Sequence, residues 1–259
     1  MKTRILSGLI MLPLLAVLYF GGHVLTVFCF AIGLVGAYEF LKGFRAMGYD
    51  PSYTIVAVGT LLLYTIHVLS LDKELYMLLA VLMVVAPSVY LFRSPESKLD
   101  DALSTIVAYF YVVIFSYHVV LIDGTPQRIL VWLVVITAFG TDIFAYFGGY
   151  FFGKKKLCPT ISPKKTIQGS YFGILGSMAI AALFGYILCR EYVLHCLVLG
   201  LLGGIVSQFG DLTASVYKRR MGIKDYGNLI PGHGGILDRF DSVLYTAPLV
   251  YYYIVLLLN

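Results

Sequence analysis

Almost the whole chain is divided into apolar stretches long enough to cross a lipid bilayer, and this leaves few folds open to it. The stretches run approximately over residues 4–20, 22–39, 53–70, 74–92, 102–121, 128–152, 170–189, 192–216 and 237–258. A bilayer core of about 30 Å takes about 20 apolar residues of helix, and a helix satisfies its own backbone hydrogen bonds away from water. With 59% of its 259 residues hydrophobic and only 13% charged, the chain is excluded from the ordinary soluble domains. The expected fold class is therefore all-α, a polytopic transmembrane helical bundle of about nine spans. Lys2 and Arg4 stand before the apolar run of the first stretch, but no small-x-small cleavage pattern follows it, so it is read as a span and not as a cleaved signal. No internal repeat or low-complexity segment interrupts the pattern. One membrane domain over 1–259 is expected, with N-terminal spans over 1–121 and the site-bearing spans and loops over 128–258.

Loop charge sets the orientation, because cytoplasmic loops retain lysine and arginine. Of the 19 basic residues, all but Lys73, Arg128 and Arg190 fall at the N-terminus or in alternate loops on one side. That side, with the N-terminus, is expected to be cytoplasmic in a multi-pass protein of the cell membrane. The net charge of +5 then reflects topology and contact with anionic membrane lipids, and no nucleic-acid partner is expected. Cys29, Cys158, Cys189 and Cys196 show no metal-ligand spacing and are read as small apolar fillers.

Acids inside a span cost at least ~2.5 kcal/mol each on insertion scales, so they usually face a bundle interior or an aqueous cavity. Asp142 lies ten residues before the cytoplasmic end of its span, about 15 Å deep at the helical rise, and Asp211 five residues before its own, about 7–8 Å deep. Asp238 and Asp241 open the last span three residues apart, on one face of a helix. An isolated pair there would only complement the helix dipole. With Asp211 across the same loop, an all-oxygen set of Asp211, Asp238 and Asp241 suits a hard cation such as Mg²⁺, which takes one or two carboxylates together with substrate phosphates.

The loop between Asp211 and Asp241 holds chemistry that matches a phosphate. Lys218, Arg219 and Lys224 stand before Gly232-His233-Gly234-Gly235, whose glycines allow backbone N–H groups to turn toward an anion ahead of a helix N-terminus. The same cations would also serve topology alone. In the preceding basic loop, Ser162-Pro163-Lys164-Lys165-Thr166 sets two hydroxyls around two lysines, again suited to holding phosphate, whereas Lys154, Lys155 and Lys156 read as membrane-surface charge. His233 is a candidate site residue without an assigned role, a turn histidine bonded to backbone being the alternative.

Over Ser215 to Asp241 the chain resembles the signature of the phosphatidate cytidylyltransferase (CDP-diacylglycerol synthase) family. The matching positions are Ser215, Lys218-Arg219, Lys224-Asp225, Pro231, His233-Gly234-Gly235, Asp238-Arg239 and Asp241. Ser162 to Thr166, Gly210-Asp211, the span of Asp142, Arg4 and Glu39-Phe40 look like further family elements, so the likeness covers essentially the whole chain. Two segments depart from the family pattern: its frequent Trp-Glu-Gly is Ile167-Gln168-Gly169 here, and Asp-Thr-Gly is Asp142-Ile143-Phe144.

The resemblance implies that CTP and phosphatidate are converted to CDP-diacylglycerol and pyrophosphate at a Mg²⁺ site, in a helical membrane fold assembled as a homodimer. It implies that Asp211, Asp238 and Asp241 hold metal, and that Lys218, Arg219 and Arg239 contact phosphates. Lys164 and Lys165 would hold the phosphate of one substrate, flanked by Ser162 and Thr166. Ser215, Lys224, Asp225 and Asp142 would line the substrate sites, and His233, Gly234 and Gly235 would shape the nucleotide pocket. The residues also leave open a CTP-dependent transferase acting on another lipid phosphate or a polyprenol. An ion-coupled transporter using the buried acids is a more distant alternative.

Overall fold

A computed structural model describes residues 12–229, 232 and 234–258 of the chain, with side chains from residue 15 onward. Arg4, Pro231 and His233 lie outside the described residues, so the site role expected of His233 falls there too. The helices are α1 (Leu12–Phe20), α2 (Gly22–Ala46), α3 (Tyr53–Val68), α4 (Glu74–Tyr90), α5 (Leu99–Asp123), α6 (Val131–Phe152), α7 (Ile167–Leu188), α8 (Val193–Arg220) and α9 (Leu237–Leu257).

Seven of these, with their short helical extensions, are long and apolar enough to cross a membrane among the described residues. The remaining two expected spans are α3, which is apolar but shorter at 16 residues, and the stretch 4–20, of which only α1 is described. The chain is a helical multi-pass membrane protein. Many large apolar side chains point outward, among them Met77, Phe92, Tyr150, Leu194 and Leu256, as they must where lipid replaces water as the surrounding solvent. On α4, only 17% of the most apolar window is buried, whereas α5 is 67% buried. Helix α4 therefore faces outward, and α5 is a core element. Helix α5 carries a π-helical stretch over Ala108–Ile114, where the wider turn packs Tyr109 and Val113 at 1% and 0% exposure.

The chain gathers into two compact units, one of Met1–Tyr117 with Arg220–Arg239 and one of His118–Arg219 with Phe240–Asn259. In the first, α2 runs alongside α3 and the π stretch of α5; Gly36 lets Val112 and Leu237 approach its backbone. The segment 220–239 thus packs with the N-terminal helices, although the sequence groups it with the later spans. In the second unit α6 and α7 lie against each other through small residues. A side chain at Gly148 would meet the ring of Phe172, and one at Gly176 the ring of Phe144. Close backbone approach of this kind is how helices associate when lipid removes the hydrophobic drive between them.

One element departs from the all-α expectation. Lys156–Cys158 (β1) and Ser162–Thr166 (β2) pair as an antiparallel hairpin, Lys156 opposite Thr166 and Cys158 opposite Ser162, with an irregularity between the two pairs. The basic segment expected to be a loop is therefore a strand, with Pro163 tolerated because the two-stranded sheet consists only of edges.

Candidate active site

In the second unit, the hairpin delivers its lysines to a cavity of about 310 Å³ bordered by α6, α7 and α8. Asp142, Tyr146 and Tyr150 come from α6, Lys164, Lys165 and Thr166 from β2, Ser170 from α7 and Gln208 from α8. Thr166 ends the strand and begins α7: its Oγ1 accepts the Gly169 N–H at 3.1 Å, the N-cap bond that satisfies one orphan amide of the first turn. Its hydroxyl and methyl also fill the space that a side chain at Gly153 would take, which locks the strand end against α6. Gln168 anchors the other side of the hairpin, its Oε1 accepting from the N–H groups of Lys154 and Lys155 at 3.0 and 3.3 Å. The glutamine that stands in place of the family's glutamate thus holds the turn after α6.

Lys165 Nζ is ion-paired with Asp211 Oδ2 and has no hydrogen-bond acceptor beyond that carboxylate among the described residues. One turn further along α8, Ser215 Oγ donates to Asp211 Oδ1 at 3.4 Å. Asp241 is buried at 8% exposure, accepts the Ser242 N–H at 2.8 Å, and has Asp211, Lys218 and Asp142 as its electrostatic neighbours. Helix α9 approaches α8 closely enough to bring these groups together because Gly210 lacks a side chain: a Cβ there would lie 2.8 Å from Asp241 O. Arg219 extends from the end of α8 to the hairpin turn, its Nε donating to Ile161 O at 3.5 Å. Thus Asp142, Lys164, Lys165, Thr166, Asp211, Ser215, Lys218, Arg219 and Asp241 all belong to one unit. Ser162 is half-buried in the hairpin and is not among the residues that line the cavity.

The remaining described candidates lie in the first unit. Lys224 and Asp225 are exposed on the segment after α8. Gly234, with φ +85°, occupies the left-handed region, and a side chain there would also meet Asp238 Oδ2 at 2.8 Å. Asp238 is buried and its Oδ2 accepts two backbone N–H groups, from Tyr226 at 2.8 Å and Gly235 at 2.9 Å. The next two amides go to Glu39: Ile236 N–H donates to Oε1 at 3.1 Å and Leu237 N–H to Oε2 at 2.9 Å. Of the N–H groups that the sequence directs at a phosphate, that of Gly235 is taken by the protein's own carboxylate, as are those of Ile236 and Leu237 after it. Arg239, at the start of α9, has a buried Nε with no hydrogen-bond partner among the described residues.

Among the described residues, no three acidic, histidine or cysteine side chains gather closely enough to hold a metal ion by themselves. Asp211 and Asp241 are nonetheless neighbouring carboxylates, the first paired with Lys165 of the cavity wall, a donor set that fits a hard cation completed by substrate phosphate oxygens. Sequence reasoning missed Gln208, whose Nε2 donates to Ser170 O at 3.3 Å and to Gly204 O at 2.9 Å. It also gave no role to Glu39. Ending the second span at residue 39 placed that acid at a boundary, whereas α2 continues to Ala46 and puts Glu39 inside the helix.

The sequence model of the Cytidylyltransferase family matches residues 2–257. A protein of Bacillus subtilis named phosphatidate cytidylyltransferase is 31% identical over 274 residues, covering 99% of this chain and 98% of its own. One of the same name from Staphylococcus epidermidis is 32% identical over 260 residues, 96% of this chain and 97% of that protein. A third, from Synechocystis, is 49% identical over 138 residues, 52% of this chain and 47% of its own length.

Proposed function

Because the chain belongs to the cytidylyltransferase family, we propose that it transfers the cytidylyl group of CTP to phosphatidate, forming CDP-diacylglycerol and pyrophosphate for phospholipid synthesis. The observation that carries this reading is that Lys165, which lines the cavity, is ion-paired with Asp211, itself grouped with Asp241 and Lys218, in a membrane-spanning unit. Full-length relatives named for the same reaction support it.

A phosphate oxygen of the lipid attacks the α-phosphorus of CTP; the new P–O bond forms as the bond to pyrophosphate breaks. Such a transfer depends chiefly on positioning and on neutralising charge. Lys164 and Lys165 hold the phosphate of one substrate. Lys218, Arg219 and Arg239 contact phosphates, and the buried Nε of Arg239, without a hydrogen-bond partner among the described residues, supports its share of that role. Ser162, Ser215, Lys224, Asp225 and Asp142 are assigned to the substrate sites, and His233, Gly234 and Gly235 to the nucleotide pocket. Asp211 and Asp241 would hold Mg²⁺, with Asp238, one turn earlier in α9, as the third proposed carboxylate. When bound, the ion would withdraw charge from the phosphate oxygens. The proposed setting is the cytoplasmic membrane, with the basic loops on the cytoplasmic side as lysine and arginine bias requires. The proposed assembly is a homodimer.

The test is pyrophosphate release by the purified protein in mixed micelles with CTP, with and without phosphatidate, Mg²⁺ or a chelator. Release that requires both lipid and Mg²⁺, with CDP-diacylglycerol as product, is the expected result. Release with a polyprenyl phosphate or an ether-lipid phosphate but not with phosphatidate would reassign the acceptor. No release from folded protein with any of them would overturn the reading.

A further inference from the structure

An acid in the interior of a membrane helix needs a physical reason to be there. Glu39 is 5% exposed in α2, and both of its carboxylate oxygens are spent on consecutive backbone amides, Ile236 and Leu237, at the start of α9. The space it occupies is made by glycines: a side chain at either Gly227 or Gly235 would collide with the Glu39 carboxyl group. Asp238 continues the pattern, taking the amides of Tyr226 and Gly235. Two adjacent carboxylates therefore take four amides, that of Tyr226 and those of the consecutive residues Gly235, Ile236 and Leu237. Asp238 is local to this segment, but Glu39 ties it to a separate helix.

We propose that Glu39 is a positioning residue for cytidylyl transfer: it clamps the glycine-rich segment and the N-terminus of α9 in the arrangement that presents Asp225, Gly234, Asp238 and Arg239. The inference rests on the function proposed above. It assigns Glu39 no contact with substrate. Charge-assisted bonds to two amides in a water-poor interior make a stiff tie, and the helix dipole favours an anion at that end of α9. A glutamine cannot replace it, because its NH₂ would face an N–H that needs an acceptor. An aspartate keeps both acceptors but is one methylene too short.

The experiment compares wild type, Glu39→Gln and Glu39→Asp in detergent by steady-state kinetics, thermal unfolding and backbone hydrogen exchange. Expected for Glu39→Gln is a fall in kcat of about 100-fold, the scale of a small misplacement of catalytic groups. Exchange should rise in peptides covering 226–238 and stay unchanged in α6 and α7. Glu39→Asp should recover part of the lost kcat and part of the protection. Unchanged kcat with unchanged exchange over 226–238 would overturn the proposal. So would increased exchange spread through α6 and α7, because it would make Glu39 a residue of general stability. If wild type itself transferred no cytidylyl group, the functional reading would fail, and exchange over 226–238 would still decide whether the clamp exists.

Discussion

Lys165 of the hairpin and Asp211 of α8 form an ion pair beside the cavity, each side chain about one-quarter exposed, at 23% and 24%. The exposed part of Lys165 is its methylene stem, because Nζ itself is buried. The opposite charges of the pair are held where an incoming phosphate could take the lysine and a cation the aspartate.

Replacing Lys165 with alanine should lower kcat/KM through a higher apparent KM for CTP or phosphatidate, with some loss of thermal stability because Asp211 is left without its cation beside Asp241. Loss of one charge-assisted contact, worth about 1.5–3 kcal/mol, corresponds to roughly 10- to 150-fold. Steady-state kinetics with each substrate varied in turn provides the check. Unchanged constants for both would return β2 to a purely topological role.

Asp241→Asn should abolish turnover while the protein stays folded and inserted. The amide oxygen can still accept the Ser242 N–H, and the change relieves the crowding of Asp241 with the acids Asp211 and Asp142, so stability has no reason to fall. Pyrophosphate release, read alongside size-exclusion behaviour in detergent, separates lost chemistry from lost fold. Wild-type turnover at ordinary Mg²⁺ would remove Asp241 from the site.

Gly210→Ala should impair both stability and activity. The added methyl would stand 2.8 Å from Asp241 O and 3.2 Å from both Ser242 Cα and Tyr245 Cβ, so α9 must move away from α8. Overpacking of this kind costs typically about 1–3 kcal/mol, and here it also shifts the backbone that carries Asp241. A lower unfolding temperature together with a lower kcat is expected; a loss of stability alone would show that the position of Asp241 tolerates the shift.

Thr166→Val keeps the shape but removes the N-cap acceptor of α7, at a cost of about 1 kcal/mol. Thr166→Ser should retain most of that stability, because its hydroxyl can still accept from Gly169 N. Thermal unfolding of the pair isolates the cap from the packing against Gly153.

The helices were legible because a bilayer imposes a minimum apolar length, and the starts of α2, α3, α4 and α9 fall where the hydropathy pattern puts them. The hairpin was hidden. Its strands are short and polar, one contains Pro163, and nothing in Lys164-Lys165 marks an alternation of faces. Asp211, Asp241 and Lys165 could be picked out because charge in or beside an apolar span is costly. The partners of the glycine-turn amides could not, because the acceptor comes from Glu39, 197 and 198 residues away from the donors. A turn rich in glycine reads the same whether its N–H groups await a ligand or already hold a side chain.

That separation also sets an order of events during synthesis. The tie between α2 and the start of α9 cannot exist until the chain has been made through Leu237, after α3 to α8. Contacts this distant in sequence form late, once the entropy of closing the intervening loop has been met. A nascent chain made only through α8 would carry both basic loops while Glu39 still lacked the amides of Ile236 and Leu237, so the clamp closes only once the start of α9 has been made.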